Sequence, residues 1–170
     1  MKGKPGVFAF CIAIAAIFLS FYFDNKIIKI VSLIRNSYLD QFFLGITFLS
    51  SEIIIFFVFT SLFLWNENKR KWILPLWLTL FFSAVVSFLL KIAIQRQRPF
   101  QCGLVSVLPA LQEASQNVWN FSFPSSHALI AFSVVPLLSK EFPKLKYAWV
   151  IFAVIVSFSR VYFGVHFLSD

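Results

Sequence analysis

The sequence predicts an all-α protein, a bundle of helices that crosses a membrane several times. Of its 170 residues, 59% are hydrophobic and only 13% are charged. A water-soluble domain of this length has no interior large enough to bury so much apolar surface. The hydrophobic residues also fall into long runs separated by short charged segments. These observations exclude a soluble enzyme and predict a single membrane domain over residues 1–170.

Five apolar runs are the predicted membrane helices. A hydrocarbon core of about 30 Å takes about 20 helical residues to cross. Pro5–Phe23 and Trp72–Leu90 contain no charged residue and come close to this length directly, whereas the other three need tilt or interfacial residues. Those three are Gln41–Trp65, Phe121–Ser139 and Tyr147–Ser159. The first run is too long for a signal peptide and lacks a small-residue cleavage site, so we predict that it is retained.

The segment Asp24–Asp40 predicts a surface element between the first two membrane helices. Lys26, Lys29 and Arg35 alternate there with Ile, Val and Leu residues. This pattern is typical of an amphipathic helix that lies in the membrane surface. An ordinary connecting loop is the alternative interpretation.

Glu52 and the two cysteines are interpreted as structural. A carboxylate within a membrane helix is paired, neutral or functional, and we interpret Glu52 as a partner within the bundle. Cys11 and Cys102 have neither the spacing of a disulfide framework nor that of a metal motif.

The net charge of +8 bears on orientation, because Lys and Arg are enriched in cytoplasmic loops. The 15 basic residues divide almost evenly between the two predicted sides of the membrane, so their number on each side does not determine the orientation. Asn66–Lys71 and Lys140–Lys146 are compact basic turns of the cytoplasmic type. They predict a cytoplasmic amino terminus and an outward-facing loop at Pro99–Phe123.

The first candidate motif is KIAIQRQRP, Lys91 to Pro99. If the third membrane helix continues through it, Lys91 and Arg98 project from the same face, and Pro99 ends the helix. Two cations on one face predict a site for a doubly charged anion. The alternative is that these basic side chains simply extend to the membrane interface. Considered alone, this segment favours that alternative.

The second motif is PSSH, Pro124 to His127, at the start of the fourth predicted helix. Proline suits the first helical turn, where free N–H groups and the helix dipole attract anions. Ser125 adds a hydroxyl donor, and His127 adds a group of the type that can titrate near neutral pH. A serine-rich helix cap with an incidental histidine is the alternative.

The third motif, Ser159 to Asp170, combines a cation with a histidine and a carboxylate. Arg160 offers a planar fork for phosphate oxygens. On a helix, Asp170 would accept a hydrogen bond from one nitrogen of His166 and leave the other free to attack. The alternative is a surface His–Asp pair worth a few tenths of a kcal/mol.

The three motifs fall on the same outer side of the predicted topology, and they contain both histidines of the chain. Ionisable groups at the bilayer centre cost about 2.5–3.5 kcal/mol, so such a cluster indicates a function. A non-catalytic anion-binding or transport protein is the competing hypothesis. It gains nothing from a carboxylate beside His166, which favours catalysis.

Together the motifs resemble the signature of the type 2 phosphatidic acid phosphatase superfamily, K-x6-R-P, P-S-G-H and S-R-x5-H-x3-D. Ser126 stands where the signature has glycine, and activity is expected to survive this difference. The matching positions are Lys91, Arg98, Pro99, Pro124, Ser125, His127, Ser159, Arg160, His166 and Asp170.

The resemblance implies a membrane lipid phosphatase that hydrolyses a phosphate monoester or diphosphate on a lipid headgroup. His166 would attack phosphorus to form a phosphohistidine, Asp170 would orient it, and His127 would act as general acid and base. Members of the family need neither a metal nor another cofactor. The implied phosphate-binding residues are Lys91, Arg98, Ser125, Ser126 and Arg160.

The resemblance also implies the setting of the enzyme. Its partners would be the bilayer and a membrane lipid phosphate, with no nucleic acid, and the active site would lie on the extracytoplasmic side of a multi-pass inner-membrane protein. Phosphatidylglycerophosphate, undecaprenyl diphosphate, lipid A 1-phosphate and phosphatidic acid all fit. The segment Gln101–Phe123, which contains Trp119, is predicted to help select among these substrates. The family continues into a sixth helix after the position of Asp170, so the chain is expected to be truncated.

Overall fold

A computed structural model describes residues 5–108, 111 and 121–170, and all regular structure in these residues is helical. The all-α prediction is therefore confirmed for the described part of the chain. Trp119 lies outside the described residues. The described residues contain six α-helices, which are α1 (Pro5–Leu33), α2 (Ser37–Leu49), α3 (Glu52–Leu64), α4 (Ile73–Ile94), α5 (Ser126–Glu141) and α6 (Lys146–Tyr162). Short 3₁₀ helices at Glu67–Trp72 and Pro143–Leu145 lead into α4 and α6.

Two helical stretches are long and apolar enough to cross a membrane among the described residues, Glu67–Ile94 and Pro143–Tyr162. The bent pair α2 and α3 meets the same test when it is taken as one span. The predicted number of five membrane helices therefore stays a prediction.

Helix α1 continues through most of the segment that the sequence assigns to a separate surface helix. α1 extends to Leu33. Its last turns are held by Ile28 and Val31, which are buried in an apolar cluster that includes the end of α6. Asn36 then caps α2 by accepting hydrogen bonds from two backbone N–H groups. A separate amphipathic helix over Asp24–Asp40 is not confirmed.

The predicted helix Gln41–Trp65 is broken in two, with a bend of 61° between α2 and α3. Ser51 is the N-cap of α3, so Glu52 lies in a first helical turn and not midway along a helix. The helix dipole favours a carboxylate there. Glu52 is exposed and has no ion pair to a described residue, but it is close enough to Lys91 for electrostatic interaction, so its role as a structural partner stays a prediction.

The core brings three chain segments to one end of the bundle. Ala131 on α5 and Ala153 on α6 are buried against each other's helices, and small residues allow helices to approach closely. Phe63, Leu76 and Leu138 form a second buried cluster at the opposite end. As a result, the end of α4, the start of α5 and the end of α6 are neighbours.

Candidate active site

The three motifs meet at this end of the bundle. The Lys91 ammonium donates hydrogen bonds of 2.8 Å to the carbonyls of Phe121 and Pro124. The Ser125 N–H donates to the backbone carbonyl of Asp170 at 3.1 Å. The structure thus brings together the segments that the sequence places on one side of the membrane.

The first motif is not one continuous helix. α4 ends at Ile94, and Gln95 has a left-handed conformation with φ 52°. The prediction that Lys91 and Arg98 share a helical face is therefore wrong. The turn instead directs Arg98 inward, where its Nη1 donates to the Val165 carbonyl at 3.1 Å.

The His–Asp pair is formed by a turn after α6 and not by a helix, which corrects the predicted geometry. α6 ends at Tyr162, and Gly164 takes a left-handed φ of 71°. The turn leaves His166 Nδ1 3.3 Å from Asp170 Oδ2. The same carboxylate oxygen accepts from the Phe167 N–H at 2.8 Å and from the Ser122 hydroxyl.

The surroundings of His166 favour a neutral imidazole. Burial lowers its pKa to about 3, although the hydrogen bond to Asp170 acts in the opposite direction. Burial alone would raise the pKa of Asp170, but hydrogen bonds from His166 and Ser122 hold it below its usual range. With Asp170 ionised, Nδ1 carries the imidazole proton and Nε2 carries the lone pair. Arg98 Nη1 lies 3.5 Å from this Nε2.

Two buried donors of the site have no hydrogen-bond partner among the residues that the structure describes. They are the Ser125 hydroxyl, in a residue that is 3% exposed, and Arg160 Nε, in a residue that is 7% exposed. A buried polar group without a partner costs about 1–3 kcal/mol. An anion bound here would satisfy both. Thr47 on α2 accepts from Arg160 Nη1 at 3.3 Å and helps to fix the guanidinium.

His127 lies in the first turn of α5 and is half-buried. It is close enough to Arg160, His166 and Arg98 for electrostatic interaction with each. α5 begins at Ser126 with Ser125 as its N-cap, so Pro124 precedes the helix and does not occupy its first turn as predicted.

The hydroxyl of Ser126 lies 2.8 Å from that of Ser87 on α4. This contact directs the side chain toward the helix interface. The serine that replaces the signature glycine therefore has a place for its extra atoms outside the cationic pocket.

Four polar residues near the site were missed as site residues by sequence reasoning. Asp24 was the one detectable signal, because a carboxylate in an apolar helix needs a basic partner. Serine and threonine in apolar helices are too common to single out. The four residues are Asp24, Thr47, Arg96 and Ser122.

A cavity of about 470 Å³ extends from the His–Asp pair between α5 and α6. Leu129, Phe132 and Phe158 line its apolar part, while Arg160 and His166 lie at its polar part. Within the described residues, no group of three His, Cys, Asp or Glu side chains forms a metal site.

Two characterised proteins are similar in sequence. Phosphatidylglycerophosphatase B of Bacillus subtilis is 32% identical over 163 residues, covering 86% of this chain and 73% of that protein. Undecaprenyl-diphosphatase BcrC of the same organism is 27% identical over 140 residues, covering 80% of this chain and 67% of that protein.

A solved structure and a family model agree with these matches. The crystal structure of a transmembrane PAP2-type phosphatidylglycerolphosphate phosphatase from Bacillus subtilis matches with a TM-score of 0.67 and 27% identity. The match covers 100% of this chain and 87% of that one. The family model described as the PAP2 superfamily matches residues 72–170, more than half of the chain and all three motifs. The chain belongs to the PAP2 superfamily.

Proposed function

We propose that this protein is a membrane lipid phosphatase that hydrolyses a phosphate monoester or diphosphate on a lipid headgroup. One observation carries the proposal: a neutral, carboxylate-bound His166 lines the same cavity as Ser125 and Arg160, whose buried donors have no partner among the described residues. The two similar proteins are named for phosphatidylglycerophosphate and undecaprenyl diphosphate, both lipid phosphates.

In the first step, His166 Nε2 attacks phosphorus and the bond to the leaving oxygen breaks. Asp170 accepts the Nδ1 hydrogen bond and stabilises the positive charge that develops on the imidazole. His127 protonates the leaving oxygen. The products of this step are the lipid alcohol, or a lipid monophosphate from a diphosphate, and phosphohistidine.

In the second step, His127 takes a proton from water as the water attacks the phosphohistidine. The P–N bond breaks, inorganic phosphate leaves, and His166 returns to its neutral form. The same imidazole therefore serves as acid and then as base, so each turnover restores both histidines.

The transferring phosphoryl group is held by cations and hydrogen-bond donors, in place of a metal. Lys91 gives two of its three N–H bonds to backbone carbonyls, which leaves one for a phosphate oxygen. The Ser126 N–H at the start of α5 adds a backbone donor. The proposed phosphate-binding residues are Lys91, Arg98, Ser125, Ser126 and Arg160.

The apolar cavity beside His166 supports a lipid substrate over a water-soluble phosphate ester, because it offers an acyl or prenyl chain an apolar surface next to the reacting atom. Phosphatidylglycerophosphate, undecaprenyl diphosphate and lipid A 1-phosphate are the substrate types that we propose. We further propose a multi-pass inner-membrane location with the site on the extracytoplasmic side.

Phosphate release from purified protein tests this function. The protein in detergent–lipid micelles is given each of the three lipid types and phosphatidic acid, with and without a chelator. We expect turnover of at least one lipid, no effect of the chelator, and loss of turnover in His166→Ala. Full activity in His166→Ala, or phosphate binding without release from any lipid, would contradict the proposal.

The intermediate can be trapped with a lipid that carries ³²P in the transferred phosphate. Acid-labile label should remain on the wild-type protein after a rapid quench and should be absent from His166→Ala. His127→Ala should retain the label longer, because the base that activates water is missing.

A further inference from the structure

We propose that Arg96, held in place by Asp24, is a positioning residue that fixes the Asp170 carboxylate against His166. The inference rests on the proposed function, since it concerns the same His–Asp pair. Arg96 is not one of the residues that the three-part signature specifies, and it lies two positions before Arg98 in the turn that follows α4.

The two oxygens of Asp170 face different partners. Oδ2 is directed at His166 Nδ1, and Oδ1 accepts a hydrogen bond of 2.7 Å from Arg96 Nη1. The Asp170 side chain is fully buried. Arg96 therefore lies across the carboxylate from the imidazole and resists its rotation away from Nδ1.

Arg96 is itself fixed from its other side. Its Nη2 donates to Asp24 Oδ2 at 2.7 Å, and its Nη1 also donates to Ser169 Oγ at 2.7 Å. The guanidinium carbon lies 4.1 Å from the centre of the Phe167 ring. A planar guanidinium group that is hydrogen-bonded to two carboxylates and packed on an aromatic ring is held in a single orientation.

Asp24 extends this arrangement to α1. Its side chain is 3% exposed, and it also accepts from the Ser169 N–H at 3.1 Å and from the Ser169 hydroxyl. The buried carboxylate thus holds both Arg96 and the residue next to Asp170. This chain of contacts explains why an apolar helix contains an aspartate.

These contacts separate Arg96 from the phosphate-binding cations. Within the described part of the chain, Arg96 donates hydrogen bonds to Asp24, Ser169 and Asp170, whereas Arg160 Nε is buried without a partner among the described residues. A positioning residue should therefore change kcat, while a phosphate-binding residue should also change KM.

The kinetic test uses Arg96→Gln, Arg96→Lys and Asp24→Asn, assayed per folded molecule on a short-chain lipid phosphate. At metal sites, loss of the group that orients a ligand typically costs about 10- to 100-fold in activity, and we take the same range for the carboxylate that orients His166. We expect a kcat loss of that size in Arg96→Gln with KM nearly unchanged, partial recovery in Arg96→Lys, and a smaller loss in Asp24→Asn. Arg70→Gln is the matched control, because Arg70 forms an exposed ion pair with Glu67 in a distant turn.

A double variant distinguishes positioning from general stabilisation. In an Asp170→Asn background, Arg96→Gln should cause little further loss of kcat, because the carboxylate that it positions is gone. Additive losses, or a fall in activity that follows only the amount of folded protein, would overturn the proposal.

An NMR measurement separates this inference from the proposed function. In ¹⁵N-histidine-labelled protein with His127→Gln, His166 is the one remaining imidazole. Arg96→Gln should increase the fraction of His166 that carries its proton on Nε2, whether or not the protein hydrolyses a lipid. An unchanged tautomer ratio would overturn the positioning role, while absence of phosphate release in wild type would count against the proposed function alone.

Discussion

Ser125 and Ser126 are neighbours in the chain, but their hydroxyl groups have different surroundings. The Ser125 hydroxyl is buried without a partner among the described side chains, while that of Ser126 lies against Ser87. Arg160 shows a similar division within one side chain, with Nη1 bound to Thr47 and Nε unpartnered in the described part of the chain. The direction of each polar atom therefore indicates its role better than the residue type does.

This difference between the serines predicts different effects of substitution. Ser125→Ala removes a donor to a charged phosphate, which is worth about 1.5–3 kcal/mol, or about 10- to 100-fold in kcat/KM. Ser126→Gly restores the signature residue and keeps the backbone N–H, so kcat/KM should stay close to wild type. Phosphate-release kinetics on both variants checks this. A larger loss in Ser126→Gly than in Ser125→Ala would contradict the assignment.

The protonation state of His166 gives a second prediction at this scale. An ordinary histidine titrates near pH 6.5, but burial lowers the pKa of His166 to about 3. The free protein should therefore keep a neutral imidazole as the pH falls from 8 to 5.5. Imidazole ¹⁵N shifts in labelled His127→Gln protein measure this directly. A titration midpoint between pH 6 and 7 would show that the site is more hydrated than the structure indicates.

At the scale of the elements, the turns that join the three motifs were not predicted. Charged and polar residues are rare in this chain, so the sequence singled out Lys91, His127 and His166 as candidate site residues. Spacing alone did not identify how they meet, because positions i and i+4 suit both a helix and the tight turn at Gly164. Similarly, nothing local in the sequence pairs Arg96 with Asp24, since their contact joins residues 72 positions apart.

The turn at Gly164 predicts a clear contrast between two glycines. A Cβ at Gly164 would overlap Val105 Cγ2, and its φ of 71° is unfavourable for other residues, by about 1–2 kcal/mol. Gly164→Ala should therefore destabilise the protein and lower kcat by displacing His166.

Gly45→Ala is the matched control for this variant. Gly45 lies within α2, and a Cβ there has no atom within 4 Å. Alanine favours a helix by about 1 kcal/mol over glycine, so this variant should keep its activity and should melt at the wild-type temperature or slightly above it. Thermal unfolding in detergent and phosphate release measure both effects. Equal behaviour of the two variants would refute the structural role of the Gly164 turn.

At the scale of the whole molecule, charge and apolar surface are arranged as a membrane protein requires. Phe18, Phe57 and Phe82 are more than half exposed on the outer faces of different helices, where lipid would cover them. The basic 3₁₀ helix Glu67–Trp72 and the candidate site lie at opposite ends of α4. Because basic residues are enriched in cytoplasmic loops, the cations of this turn favour a cytoplasmic location for the start of α4 and an extracytoplasmic location for the candidate site at its other end.

Thiol labelling tests this orientation with residues that the chain already provides. Cys102 is exposed and follows Pro99 at the site end of α4, so in right-side-out vesicles of a Cys11→Ala variant it should react with a membrane-impermeant maleimide. Asn68→Cys, placed in the basic turn of a protein that also carries Cys11→Ala and Cys102→Ser, should react after the vesicles are opened. Both variants must release phosphate as wild type does. If Asn68→Cys reacts in sealed vesicles and Cys102 does not, the site faces the cytoplasm and the lipid reaches it from the inner leaflet.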